Sequence, residues 1–401
     1  MGMGSLVGEA VDRIGGEPIS SRMARRAPLK HLDPVLLLTT ISLAIFGIVM
    51  VFTATASKQT EAGLDPATFL KRQLVYVLLG SVALAAVSFV DYRHLKGLAP
   101  IVYGVTLLAL VVVLTPLGYV SKGASRWINL GSFQAQPSEL AKIAVIVTLA
   151  AFLAERKGDV GALAVAVCCA LVIPPAALIY LEPDLGTMMV FAVLTAALLL
   201  VGGGKIRHFV SLASLALIGI LVVLQMGLLQ DYQLQRITSF LEEDPDVQSE
   251  AYNLTQATIA IASGGARGKG LDIHTDREAL QGARTQTALD FVPEQHTDFI
   301  FTAIGEQLGF VGSATLLGLF ALLIWRALRI AGMSRDLFGT LIATGVAGLW
   351  AFQMFVNVGM TMGIMPITGI PLPFISYGGS SLITNFVAVG LLLNVHMRRF
   401  L

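Results

Sequence analysis

Ten apolar runs, each close to the twenty or so residues that cross about 30 Å of hydrocarbon as a helix, succeed one another along this chain. They fall at roughly 34–55, 69–90, 98–118, 138–155, 161–181, 184–202, 206–228, 299–325, 337–364 and 370–396. The composition agrees: 55% of the residues are hydrophobic and 13% charged, against about 25% charged in an average soluble domain. The expected fold is an all-α integral membrane protein of ten transmembrane helices, with one long extracytoplasmic loop between the seventh and the eighth. Forty glycines suit helices that approach closely in lipid, where small residues at interfaces replace a hydrophobic driving force. Pro174 and Pro175 in the fifth run, and Pro371 and Pro373 at the start of the tenth, predict kinked or broken helix there.

Lys and Arg set the orientation. With a cytoplasmic N-terminus, that side collects Arg13, Arg22, Arg25, Arg26, Lys30, Arg93, Lys96, Arg156, Lys157, Lys205, Arg207, Arg326, Arg329, Arg335, Arg398 and Arg399, sixteen of 27 basic residues. The short loops opposite hold Lys58, Lys71, Arg72, Lys122 and Arg126, so the bias of cationic loops toward the cytoplasm puts both termini inside. The chain then divides into a cytoplasmic tail (1–33), helices one to seven (34–228), the long outer loop (229–297), and helices eight to ten with a short cytoplasmic end (298–401). The tail is not a cleaved signal, because the first apolar run is too long and lacks a small-residue cleavage pattern. A net charge of +1 points to no polyanionic partner. Cys168 and Cys169 are adjacent within an apolar run and supply neither a usual bridge nor a metal cluster.

The long loop carries EEDPD at 242–246 and then AYNLTQATIAIAS at 251–263, a short interfacial helix by its pattern, stopped by Gly264 and Gly265. GGARGKG at 264–270 is too short for the nucleotide-binding G-x-x-x-x-G-K-[ST] loop and has Gly270 where a hydroxyl belongs. It is either a plain turn or one whose amides, Arg267 and Lys269 touch a phosphate. The NLT of 253–255 matches a glycosylation sequon, a very weak signal.

Polar residues gather at the outer helix ends. In RWINLGSFQAQPSELAK, 126–142, Trp127 suits a membrane interface, Ser138 and Glu139 look like a helix start, and Lys142 lies one turn inside the membrane. Glu139 and Lys142 are three apart and can pair; alternatively Lys142 snorkels outward. In LEPDLGT, 181–187, Asp184 suits a helix cap. Gln353, Asn357 and Thr361 recur every four residues as a polar stripe, and PLPFISYGGSS, 371–381, implies irregular backbone that must line protein or water. PEQHTDFIF, 293–301, concentrates Glu294, His296 and Asp298 at the loop's exit, with Glu306 deeper in the helix. A helix cap accounts for one of these carboxylates and not for the cluster; a carboxylate at the leaflet surface near several cations can serve as a base toward an anionic, lipid-anchored substrate.

RWINLG, QPSELAK, EPDLGT, QATIAIASGG-x-x-GKG, PEQHTDFIF and GIPLPFISYGGSS, in this order over about residues 34–397, resemble the SEDS family of bacterial cell-wall glycosyltransferases, and the stretch 356–381 is more similar to its elongation members than to its division members. Ala262, Ser263 and Ala266 depart from the family's glycine-rich or apolar usage. The resemblance implies a lipid II substrate polymerised at the outer leaflet of the bacterial cytoplasmic membrane, with release of undecaprenyl pyrophosphate. Asp298 matches the family's essential aspartate and is implied as general base. Arg126 and Lys142, with Lys269 or a divalent cation, are implied as the charges that meet the pyrophosphate; no other cofactor is implied. Glu139, Glu294, His296, Ser376 and Tyr377 complete the expected substrate site. The implied partner is a class B penicillin-binding protein whose single helix docks on the eighth and ninth spans. A lipid II flippase and a non-catalytic scaffold of the elongation machinery are the alternatives.

Overall fold

The computed structural model describes residues 31–121, 124–131, 133–156, 158–225, 250–271, 273, 285–287 and 294–399. The N-terminal tail as far as Lys30, the EEDPD run and most of the long loop lie outside the described residues.

Eleven helices are described. They are α1 (Pro34–Glu61), α2 (Thr68–Phe89), α3 (Tyr92–Val113), α4 (Pro137–Glu155), α5 (Ala162–Leu181), α6 (Leu185–Val201), α7 (Ile206–Gln225), α8 (Glu250–Gly264), α9 (Ile300–Met333), α10 (Leu337–Thr361) and α11 (Gly379–Met397). Eight of them are long and apolar enough to cross a membrane; α6 and α7 occupy the sixth and seventh expected runs. α8 is the short helix expected within the long loop.

Helix starts follow local chemistry. Asp33 accepts the Leu36 amide ahead of Pro34 in α1, and Asp184 accepts both the amide and the hydroxyl of Thr187 at the start of α6. α4, α10 and α11 form the buried centre, whereas α2, α3 and α5 carry exposed Leu78, Val82, Ile101, Leu108 and Ile173 outward. Such faces suit hydrocarbon. α11 closes the bundle against α2, where Gly80 admits the Phe386 ring and Gly390 lies against Leu84. Pro174 and Pro175 do not break α5. The tenth run is broken as its prolines predict: 362–378 is irregular, and helix begins only at Gly379.

Three features depart from the expectation. First, the third run stops as helix at Val113, and β1 (Gly118–Ser121), β2 (Ala124–Leu130) and β3 (Phe133–Ala135) follow as an antiparallel sheet. Gly131, at φ 78°, makes the turn between β2 and β3, and Ile128 stands opposite both Gly118 and Ala135. The Ser125 hydroxyl donates to the Val113 carbonyl, and Ser380 Oγ accepts the Gln136 amide while donating to Gln134 O, so the sheet is held between α3 and α11.

Second, α9 extends to Met333 but breaks at Gly309, which has φ 63° and ψ −161°. A break inside a helix strands carbonyls on one side and amides on the other. Here GGARGKG supplies the partners. Lys269 N and Gly270 N donate to Glu306 O and Gln307 O, while Phe310 N and Val311 N donate to Gly265 O and Ala266 O, at 2.9–3.1 Å. A Cβ at Gly264 would overlap the Gly305 carbonyl, and one at Gly268 the Gln307 carbonyl. The glycines of this stretch thus permit two backbones to touch, which is the reason for a motif that the sequence left between a turn and a phosphate cradle.

Third, Glu306, the second acid expected deeper in the membrane, is spent on structure and does not line the cavity. It is buried, and it accepts from Lys269 Nζ at 2.8 Å, the Gln286 and Thr287 amides at 2.7 and 3.0 Å, and the Thr287 hydroxyl at 2.7 Å. A carboxylate at that depth is tolerable because all its charge is met by donors.

Candidate active site

α2, α4, α6 and α9 all begin at the end of the bundle remote from Asp33 and Met397, and the irregular 362–378 segment lies at the same end. Together with the sheet they enclose a cavity of about 740 Å³. Its cationic lining is Arg72, Arg126 and Lys142; its carboxylates are Glu139, Asp184, Glu294 and Asp298. The opposite end holds a separate ionic cluster, with Arg326 and His396 about the buried Asp33.

Lys142 and Glu139 form a buried pair, 2.7 Å from Nζ to Oε1, with side chains 2% and 4% exposed. The ammonium therefore turns inward to its partner and does not snorkel. Glu139 lies in the first turn of α4, where its charge also complements the helix dipole. Arg126, from β2, donates through Nε to Glu182 O at 2.8 Å and through Nη2 to Pro183 O. Two of its donors thus hold the α5–α6 turn, and that turn presents Asp184 to the cavity.

Asp298 lies half-buried in the turn that precedes α9. The N-cap of that helix is Phe299, which has no capping side chain. The Asp298 carboxylate faces Gly369, where a Cβ would come within 3.5 Å of Oδ2. Three consecutive carbonyls of the His-Thr-Asp stretch are each held from outside it, two by the 376–377 segment and one by α10. Tyr377 N donates to His296 O at 2.8 Å, Ser376 Oγ to Thr297 O at 2.6 Å, and Asn357 Nδ2 to Asp298 O at 2.8 Å.

The expected residues sort by this geometry. Asp298, Arg126, Lys142, Glu139, Glu294 and Tyr377 line one cavity. His296, Ser376 and Lys269 do not. His296 stacks edgewise on Phe69, centroids 5.0 Å apart, and tilts against Tyr377 at 5.7 Å. Ser376 is buried, accepts the Leu372 amide and donates to Thr297 O, so its hydroxyl serves the backbone. Lys269 is given to Glu306.

Arg72 and Tyr76 on α2 were not among the expected site residues, and both line the cavity. Their signal was present: they are four apart, hence on one face, at the outer end of an apolar helix whose only other charge is the neighbouring Lys71. Burial pushes the Tyr377 phenol up to about 12; Tyr76 adds to the shift and the Arg72 guanidinium opposes it. The cations that line this space are Arg72, Arg126 and Lys142.

The site is thus a cavity at one end of a multi-pass membrane bundle, in which four carboxylates and three cations face the same space. The chain belongs to the FtsW/RodA/SpoVE family of cell cycle proteins, whose model matches residues 34–400. It is 35% identical over 369 residues to the peptidoglycan glycosyltransferase MrdB of Escherichia coli strain K12, covering 92% of this chain and 94% of that one. Among solved structures it is similar to a chain from work on the coordination of polymerization and crosslinking by a peptidoglycan synthase complex. There the TM-score is 0.75 and the identity 33%, over 92% of this chain and 98% of that one. It is similar also to the Rod shape determining protein RodA of Thermus thermophilus, with a TM-score of 0.66 and 30% identity over 92% and 98% of the two chains.

Proposed function

We propose that this chain, a peptidoglycan glycosyltransferase of cell elongation, joins lipid II units at the outer leaflet of the bacterial cytoplasmic membrane with Asp298 as general base. One observation carries the reading: Asp298 shares its cavity with Arg72, Arg126 and Lys142, so a base and a set of cations face the same space. Asp298 takes the proton of the acceptor sugar's 4-hydroxyl as that oxygen attacks the donor's anomeric carbon. The bond to the pyrophosphate breaks on the opposite face, inverting the carbon, and undecaprenyl pyrophosphate leaves with the electron pair. Arg72, Arg126 and Lys142 offset the charge that develops on it.

Both termini are placed in the cytoplasm in this reading. The support is the gathering of Arg93, Lys96, Arg156, Lys205, Arg207, Arg326, Arg329, Arg335, Arg398 and Arg399 at the end of the bundle away from the cavity. A class B penicillin-binding transpeptidase is the proposed partner, in keeping with a structural relative taken from a synthase complex that polymerizes and crosslinks.

The test is Asp298→Asn, which keeps the shape of the side chain and removes its basicity. A lost general base costs about 10² to 10⁴ in rate, so purified variant given fluorescent lipid II should form no glycan strands while remaining folded. Normal strand yield refutes the assignment. Loss of lipid II transport in proteoliposomes, where the wild type transports it, would favour the flippase instead.

A further inference from the structure

Asn357 is fully buried on α10, in the stripe it shares with Gln353 and Thr361. Its side-chain nitrogen donates twice, to Asp298 O at 2.8 Å and to Ile370 O at 2.8 Å. Carbonyl oxygens only accept, so the amide has one possible orientation, and both of its hydrogens are committed. One partner is the backbone of the proposed base. The other belongs to the segment that includes Gly369, the residue against which the Asp298 carboxylate lies. A single NH₂ group thus sets the spacing between the turn that carries the carboxylate and the wall it faces.

The two carbonyls before that of Asp298 are tied from the 376–377 segment. Tyr377 N fixes His296 O and Ser376 Oγ fixes Thr297 O. The Asp298 carbonyl is fixed by Asn357, from a different element. Thr361, one turn on, spends its hydroxyl on Val358 O of its own helix. Asn357 is therefore the member of the stripe that reaches out of α10 to the site.

We propose that Asn357 is a positioning residue for the reaction, clamping the Asp298 backbone to the 369–371 wall so that the carboxylate meets the acceptor hydroxyl at reacting distance. This rests on the reading of Asp298 as the base. Asn357 touches no substrate; it acts by geometry, and a displacement of about 1 Å at a reacting group can cost on the order of 10² in rate.

The test uses the purified full chain in proteoliposomes with fluorescent lipid II, comparing Asn357→Ala, Thr361→Val and Asp298→Asn with the wild type. Asn357→Ala should lower kcat by on the order of 10² and leave KM near the wild-type value, because binding contacts are intact and the transition-state geometry is not. Thr361→Val should match the wild type in both. An Asn357→Ala protein with wild-type kcat overturns the proposal, as does one whose loss lies in KM, or one no worse than Thr361→Val. Where Asn357→Ala does not fold, Asn357→Ser carries the test with the same expected split, since one hydroxyl cannot bridge both carbonyls. Failure of both to fold also overturns it, for Asn357 would then hold the bundle and not the base. Asp298→Asn keeps the two readings apart: activity there refutes the base itself, whereas an inactive Asp298→Asn beside an unaffected Asn357→Ala refutes only the clamp.

Discussion

Replacing Lys142 with methionine removes an ammonium and keeps most of its apolar stem. In the structure Nζ lies 2.7 Å from Glu139 Oε1, with side chains only 2% and 4% exposed. Unit charges that close attract by about 6 kcal/mol at an effective dielectric of about 20, and this attraction offsets the cost of drying both groups. Remove the cation alone and Glu139 is left buried without its partner, which typically destabilises by about 3–5 kcal/mol. Against total stabilities of about 5–15 kcal/mol, Lys142→Met should melt at a clearly lower temperature in detergent. Glu139→Gln on top of it removes the orphaned charge, and the double variant should recover most of the lost stability. Activity separates what stability joins: if Lys142 also faces the leaving pyrophosphate, the double variant folds and still makes no strands from lipid II. A Lys142→Met protein as stable as the wild type would refute the energetic argument. A double variant that polymerises normally would reduce Lys142 to a structural cation.

Two further outcomes follow from charges outside the spans. Glu182 is buried in the α5–α6 turn, and among the described residues neither of its carboxyl oxygens has a hydrogen-bond partner. Burial pushes it up from 4.5 to about 8, with Asp184 adding to the shift and Arg126 opposing it. The folded protein thus holds a proton that the unfolded chain releases, so this group's contribution is fully present below about pH 4.5 and is lost as pH rises through about 8. Glu182→Gln should match the wild type in melting temperature near pH 4.5 and exceed it at pH 8, by an amount worth a few kcal/mol at most; parallel melting curves at both pH values would show that Glu182 does not carry this proton. For the orientation, in a background lacking Cys168 and Cys169, an impermeant thiol reagent applied to intact cells should label a cysteine at Ser249 and spare one at Arg335, and the reverse pattern would invert the bundle.

What the sequence made legible was what is local or one-dimensional. A run of about twenty apolar residues announces a span wherever it falls, and the Asp184 cap needs only Thr187, three residues on. The pairing of Lys142 with Glu139 lies within one helical turn. Residues whose partners are remote in the chain were misread or missed. Lys269 looked like a phosphate ligand because Glu306, which takes it, is 37 residues away. Ser376 looked available because Thr297, whose carbonyl it binds, is 79 residues away. The break at Gly309 leaves an apolar helical pattern on both sides, and what permits it is the backbone of 265–270. The sheet at 118–135 was hidden by its short strands, which offer too little alternation to compete with the apolar run before them.

The order in which the site's parts leave the ribosome differs from the order in which they become useful. Arg72 and Tyr76 are synthesised early and Asp298 late, and the 369–381 wall is among the last stretches made. α11 packs on α2 and supplies Ser380 to the sheet. Until the 369–381 stretch and α11 are in place, Arg72 and Asp298 lack part of the lining they face. A nascent chain still lacking α11 therefore carries the early charges before the elements that close the cavity around them.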